Sequence, residues 1–100
     1  MIDEELCRKA ISKWGVDAQV DMVVEECAEL IQAIQKSKRH GLTNTADNLV
    51  EEMVDVNIML TQLEVILDTY VKGFRGMWEH HMEAKINRLK GILNEDVSSV

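Results

Sequence analysis

Glu25-Glu26-Cys27-Ala28-Glu29 and Glu52-Met53-Val54-Asp55 are the residues of this chain best suited to do chemistry. Residues three apart on a helix share a face. Glu26 with Glu29, and Glu52 with Asp55, therefore form two acidic claws. The 22 residues between Glu29 and Glu52 are enough to end one helix, turn and begin another. Two claws brought face to face would cage a hard divalent cation.

The neighbours argue that these acids are more than a solvated helix face. A lone EExxE or ExxD is common on wet helices. Here the stretch around Glu52 and Asp55 is apolar on nearly every side: Leu49, Val50, Met53, Val54, Val56, Ile58, Met59, Leu60, Leu63, Val65, Ile66 and Leu67. A helix of that kind is buried on most sides, so its acids sit in or beside a core. Two carboxylates about 4 Å apart repel by roughly 4 kcal/mol at an effective dielectric of 20. Four would protonate or splay apart without a cation. No lysine or arginine lies one turn from the second claw, and Lys36 and Arg39 lie two to three turns beyond the first. An all-oxygen ligand set suits Mg²⁺, with Mn²⁺ as a substitute, better than zinc.

Four helices are expected to position these groups. The first covers Asp3 to Trp14, with Ile2, Leu6, Ala10 and Trp14 on one stripe and Gly15 as its stop. The second runs from Asp17 to Arg39 on a stripe of Val20, Val23, Val24, Cys27, Leu30, Ile31 and Ile34, with Glu26 and Glu29 on a second face beside Met22 and Ala33. Gly41 to Thr45 reads as a loop with Thr45 as N-cap. The third helix spans Ala46 to Leu67 or Asp68. The fourth spans Val71 to Leu93 on Val71, Phe74, Trp78, Met82, Leu89 and Leu93, with Gly73 and Gly76 as points of fraying or kinking. The tail from Asn94 to Val100 is expected to be mobile. The two long helices, at about 33 Å each, form an antiparallel hairpin across their short loop. The fold class is all-α: a hairpin core with flanking helices, like a four-helix bundle, completed by oligomerisation.

The bulk numbers set bounds. At 100 residues the chain is expected to be one domain, and so small a core is marginal alone, which favours a dimer or larger assembly. The net charge of -7, from 11 basic and 18 acidic residues, disfavours nucleic acid as a partner. It does not exclude a nucleotide, because bound cations reverse the local field. Cys7 and Cys27 lack any zinc-site spacing and read as reduced thiols of a cytoplasmic protein, with Cys27 on a buried face. No signal peptide or membrane span is expected. His40, His80 and His81 do not complete the Glu-x-x-His pattern of a di-iron bundle.

EExxE, a gap, and ExxD together resemble the signature of the all-α, MazG-like nucleoside triphosphate pyrophosphohydrolases. The flanks Lys13-Trp14-Gly15-Val16-Asp17-Ala18-Gln19, Lys36-Ser37-Lys38-Arg39, Met59-Leu60-Thr61-Gln62-Leu63 and Lys85-Ile86-Asn87-Arg88-Leu89 are similar to the short phage and bacterial members. The resemblance covers most of the chain. It implies cleavage of a nucleoside triphosphate between the α and β phosphates, giving a monophosphate and pyrophosphate, in a role of cleansing nucleotide pools. It also implies Mg²⁺ held by Glu26, Glu29, Glu52 and Asp55, and a bundle completed by dimerisation, as a homodimer or often a homotetramer. Glu25 is the spare carboxylate for proton transfer, against a reading as an ordinary surface or outlying acid. Lys36, Arg39, Lys85 and Arg88 are candidate phosphate contacts; for Lys36, Lys38 and Arg39 the alternative is pairing with a helix dipole. Trp14 could stack on a base, although a Trp at a helix end is more often core. Gln19 and Asn57 could hydrogen-bond substrate or satisfy polar contacts in the bundle. Two other readings stand beside this one: a non-catalytic helical interaction module with a structural cation, and a diphosphatase acting on a nucleoside diphosphate or other pyrophosphate compound.

Overall fold

The computed structural model describes residues 2–95. They form four helices: α1 (Glu4–Trp14), α2 (Val16–His40), α3 (Leu42–Tyr70) and α4 (Phe74–Ile92), with no strand among the described residues. The fold is all-α. Internal packing divides the chain into two compact units between Leu67 and Asp68. None of the helices is long and apolar enough to cross a membrane.

In the first unit, α1 begins at Asp3, whose side chain accepts from Glu5 N–H and caps the helix. It packs through Cys7, which is fully buried, with Ala10 and Ile11 half-buried. The stripe expected from the sequence is only partly used: Leu6 and Trp14 lie exposed. Burial pushes the Cys7 thiol up, with the charges of Asp3 and Glu4 adding to it. Gly15, at φ +92°, turns the chain from α1 into α2, and its N–H closes α1 onto the Ile11 carbonyl.

The α2–α3 hairpin departs from expectation at its loop. Only Gly41 separates the helices, at φ +90°, a conformation that glycine adopts without penalty. Thr45 is therefore not an N-cap. Its hydroxyl donates to the Gly41 carbonyl and shares a 2.6 Å hydrogen bond with Ser37. Asn44 Nδ2 donates to the His40 carbonyl and satisfies an orphan acceptor at the end of α2. Side chains thus take over the capping that a longer loop would have supplied.

The face by which α2 meets α3 also differs from the most apolar stripe. Gln19, Val23, Ala33 and Ser37 are buried, with Glu26 and Leu30 half-buried between them. These six recur at alternating steps of four and three, the spacing of an inter-helix seam. On α3 the matching seam is Thr45, Leu49, Glu52, Val56, Met59 and Gln62 or Leu63, all buried or half-buried. Val20, Val24, Ile31 and Ile34, expected in the core, are exposed. Cys27 is half-buried.

Two polar pairs fix the antiparallel register. Ser37 meets Thr45 at the tip, and Gln19 Nε2 donates to Gln62 Oε1, buried at the far end. Removing one member of the glutamine pair strands the other in the core, at a cost of about 1–3 kcal/mol, whereas an apolar pair of similar shape is nearly neutral. Gln19→Leu alone is therefore expected to lower the urea midpoint, and Gln19→Leu with Gln62→Leu to recover most of the loss. A double variant as unstable as the sum of the singles would remove the pair from this role.

The second unit holds α4. It begins later than the sequence suggested. Gly73, at φ +80°, precedes it, and Gly76 lies inside the helix without ending it. Phe74 is buried and its ring packs tilted against Trp78 at 6.2 Å. Of the expected stripe, Trp78, Met82, Leu89 and Leu93 are exposed. The tail expected to be mobile lies outside the described residues from Asp96 onward. Asn94, at φ +60°, and Glu95, whose N–H reaches the Lys90 carbonyl, close the end of α4.

Candidate metal centre

The hairpin register carries the acids together. Two helical turns inward from Gln19 stands Glu26, and two turns inward from Gln62 stands Asp55. Three residues further, Glu29 on α2 lies level with Glu52 on α3. Glu26, Glu52 and Asp55 each offer an oxygen within 4.8 Å of the others. Glu29 stands in hydrogen-bonding reach of both Glu26 and Glu52. The four acids of the two motifs are thus one cluster spanning two helices.

Its electrostatics are those of a site short of positive charge. Glu26 Oε2 and Glu52 Oε2 are buried and have no hydrogen-bond partner. Among the described residues no lysine or arginine forms an ion pair with any of the four. The Glu26 carboxyl is raised above its ordinary range by burial first, then by the charges of Glu29 and Asp55, a hydrogen bond with Glu29, and the charge of Glu52. Glu52 is raised by burial first, then by Glu29, Asp55 and Glu51 and a hydrogen bond with Glu29.

A pH prediction follows from the direction of these shifts. A carboxyl raised in the folded state binds its proton more tightly there than in the unfolded chain. Its stabilising contribution is complete below the ordinary carboxylate range and is lost as pH rises through the folded value. In chelator, the metal-free protein should lose this contribution as pH rises above the ordinary carboxylate range of about 4. Glu26→Gln should flatten that part of the profile in denaturant titrations at about pH 5 and about pH 7.5. A variant profile that tracks the wild type would contradict the shift.

The donor set fits a hard cation. Oxygens on opposite sides of Mg²⁺ are about 4.2 Å apart, twice its bond length of about 2.1 Å. The oxygens of Glu26, Glu52 and Asp55 lie within 4.8 Å of one another, a spacing of the same order. A cation would also supply partners for the two orphaned oxygens. Carboxylates alone, without thiolate or imidazole, favour Mg²⁺ or Mn²⁺.

The other candidate residues are placed differently. Glu25 is exposed on α2 beside the cluster. Lys36 and Arg39 are exposed near the end of α2, where cations also complement the helix dipole. Trp14 is 59% exposed, so it is not a core residue, and Lys13 Nζ stands 5.4 Å from its ring centroid. Gln19 is buried against Gln62, and its amide is engaged there rather than open to a base edge. Asn57 is exposed, and its Nδ2 donates to the Met53 carbonyl one turn back. Lys85 and Arg88 are exposed on α4. The hollow on α4 is lined by Trp78, Glu79, Met82, Glu83, Ile86, Asn87 and Lys90, and Lys85 is not among them.

Ser37 and Gln62 set the register and were given no role from the sequence, and Thr45, read there as an N-cap, bonds Ser37 instead. The alternating four-three spacing of Gln19, Val23, Glu26, Leu30, Ala33 and Ser37 was the signal that could have placed Ser37 on the inner face. No protein-family model, no curated protein and no solved structure matches this chain.

Proposed function

We propose that this chain is a Mg²⁺-dependent nucleoside triphosphate pyrophosphohydrolase of the MazG-like kind. One observation carries the proposal: Glu26, Glu29, Glu52 and Asp55 converge on the α2–α3 seam with two buried oxygens unpartnered. That cluster supports a divalent cation. The step from cation to triphosphate rests on the motif resemblance.

In the reaction, water adds to the phosphorus and the bridging P–O bond between the α and β phosphates breaks. The products are a nucleoside monophosphate and pyrophosphate. Bound Mg²⁺ supplies charge neutralisation for the phosphates and makes water more acidic. The chain contributes the rest. Glu26, Glu29, Glu52 and Asp55 hold and orient the ion from two helices whose register is locked at both ends. Glu25, exposed on α2 next to Glu26, is the carboxylate that accepts a proton from water in this reading. Lys36 and Arg39 offer positive charge to a phosphate tail reaching along α2. Lys85 and Arg88 are not needed for this reading.

The test is a screen of ribo- and deoxyribonucleoside triphosphates with Mg²⁺, with products identified by chromatography. Monophosphate and pyrophosphate in equal amounts are expected from at least one substrate. Cation binding with no turnover would move the assignment to a non-catalytic helical module. Turnover of diphosphates alone would move it to a diphosphatase.

A further inference from the structure

The hollow on α4 has a volume of about 540 Å³, within the range of small-molecule sites. Trp78, Met82 and Ile86 run along it at steps of four and remain exposed. Glu79 and Glu83 run beside them at the same step. The hollow thus has an apolar row and an acidic row side by side, over about 12 Å of helix.

Glu83 lacks what a carboxylate needs. It is half-buried, and its Oε1 is buried without a hydrogen-bond partner. An ionised carboxylate only accepts, so a donor must come from elsewhere. Glu79, one turn back, offers none, and like charges four residues apart on a helix repel. Lys90 lines the same hollow but stands seven residues on, about 10 Å along the helix. Among the described residues neither glutamate forms an ion pair with it.

The lining distinguishes among cations. A hard metal ion gathers several oxygens. Among the described residues the acids close enough for that are Glu26, Glu52 and Asp55, and not Glu79 and Glu83. An indole face instead attracts an ammonium group, and a thioether and an aliphatic side chain accept methylenes. Glu79 and Glu83 are separated by about 6 Å of helix rise. The nitrogens of an extended four-carbon diamine, five bonds apart, are also about 6 Å apart. The positive charge of Lys90 at the far end opposes a longer polyamine whose next ammonium would reach it.

We propose that the hollow on α4 binds a short aliphatic diamine, with its ammonium groups on Glu79 and Glu83 and its methylenes along Trp78 and Met82. The hollow belongs to the second unit and the acids of the metal centre to the first, so the diamine site does not depend on the reading of the metal centre.

The test titrates 1,4-diaminobutane into the full chain carrying Trp14→Phe, which leaves Trp78 as its one indole. Trp78 emission should change along a saturable curve that sodium chloride of equal ionic strength does not reproduce. Calorimetry on the same chain covers the case of a silent indole. Glu83→Gln should weaken binding at least about 10-fold, the loss of one charge-assisted contact, and Glu79→Gln should weaken it as well. 1,2-Diaminoethane, too short to span both carboxylates, should bind more weakly. Saturating Mg²⁺ should not displace the diamine. Absence of saturable binding by both readouts at millimolar diamine would overturn the proposal. So would binding that survives Glu83→Gln unchanged, or that Mg²⁺ abolishes.

Discussion

Glu52→Gln or Asp55→Asn is expected to remove pyrophosphate release by at least about 100-fold while leaving helix content unchanged. Loss of an outlying residue that only orients a metal ligand already costs about 10–100-fold, and these are assigned as ligands themselves. The amide keeps the shape of each side chain, so the hairpin packing is preserved. The charge does not survive, and with it goes much of the affinity for a hard cation. Stability should move the other way. Glu52 is held above its ordinary range by burial and by Glu29, Asp55 and Glu51. Replacing it with a neutral amide removes one of four crowded charges. Without metal, Glu52→Gln should therefore melt no lower than the wild type. A variant that unfolds would show that the side chain serves packing. A variant with full turnover would refute the ligand assignment.

Mg²⁺ should raise the melting temperature of the wild type and leave Glu52→Gln nearly unmoved. A ligand that binds only the folded state stabilises by about 2.7 kcal/mol at one hundred times its dissociation constant. For a chain of this size, each kcal/mol shifts the midpoint by about 4–8 °C. A rise of about 10 °C or more at saturating Mg²⁺ is expected, reversed by chelator. The physical source is the quartet itself. An added dication turns mutual repulsion among Glu26, Glu29, Glu52 and Asp55 into attraction and gives the two orphaned oxygens a partner. A midpoint that stays flat through millimolar Mg²⁺ would mean that the cluster is not a cage.

Much of this arrangement was legible in the sequence. The absence of proline, the helical periodicity and the Gly15 and Gly41 breaks announce four helices, all within a few residues of those observed. The acid spacing and the short connection announce a cross-helix cluster. Two things were not legible, and both have physical reasons. The loop before Ala46 was read from turn-forming residues. Those residues instead cap α2 and bridge to Ser37 from within α3, because side-chain hydrogen bonds satisfied a turn made by glycine alone. The inner face of α2 was read from its hydrophobic residues. The hairpin instead buries the face with Gln19, Glu26, Ala33 and Ser37 at least partly covered. Periodicity shows that a face is apolar but not which neighbour covers it. Val24 and Ile31 belong to the apolar stripe and are exposed.

The cation is the point on which the account turns, and Mn²⁺ paramagnetic resonance tests it most directly, because the free ion has a sharp signal that bound ion loses. Titrated with metal-free wild type, the Mn²⁺ signal should fall along a saturable curve, recover when Mg²⁺ is added in excess, and remain undiminished with Asp55→Asn. A free-ion signal that persists up to millimolar protein, or one that Asp55→Asn quenches as well as the wild type does, would contradict it.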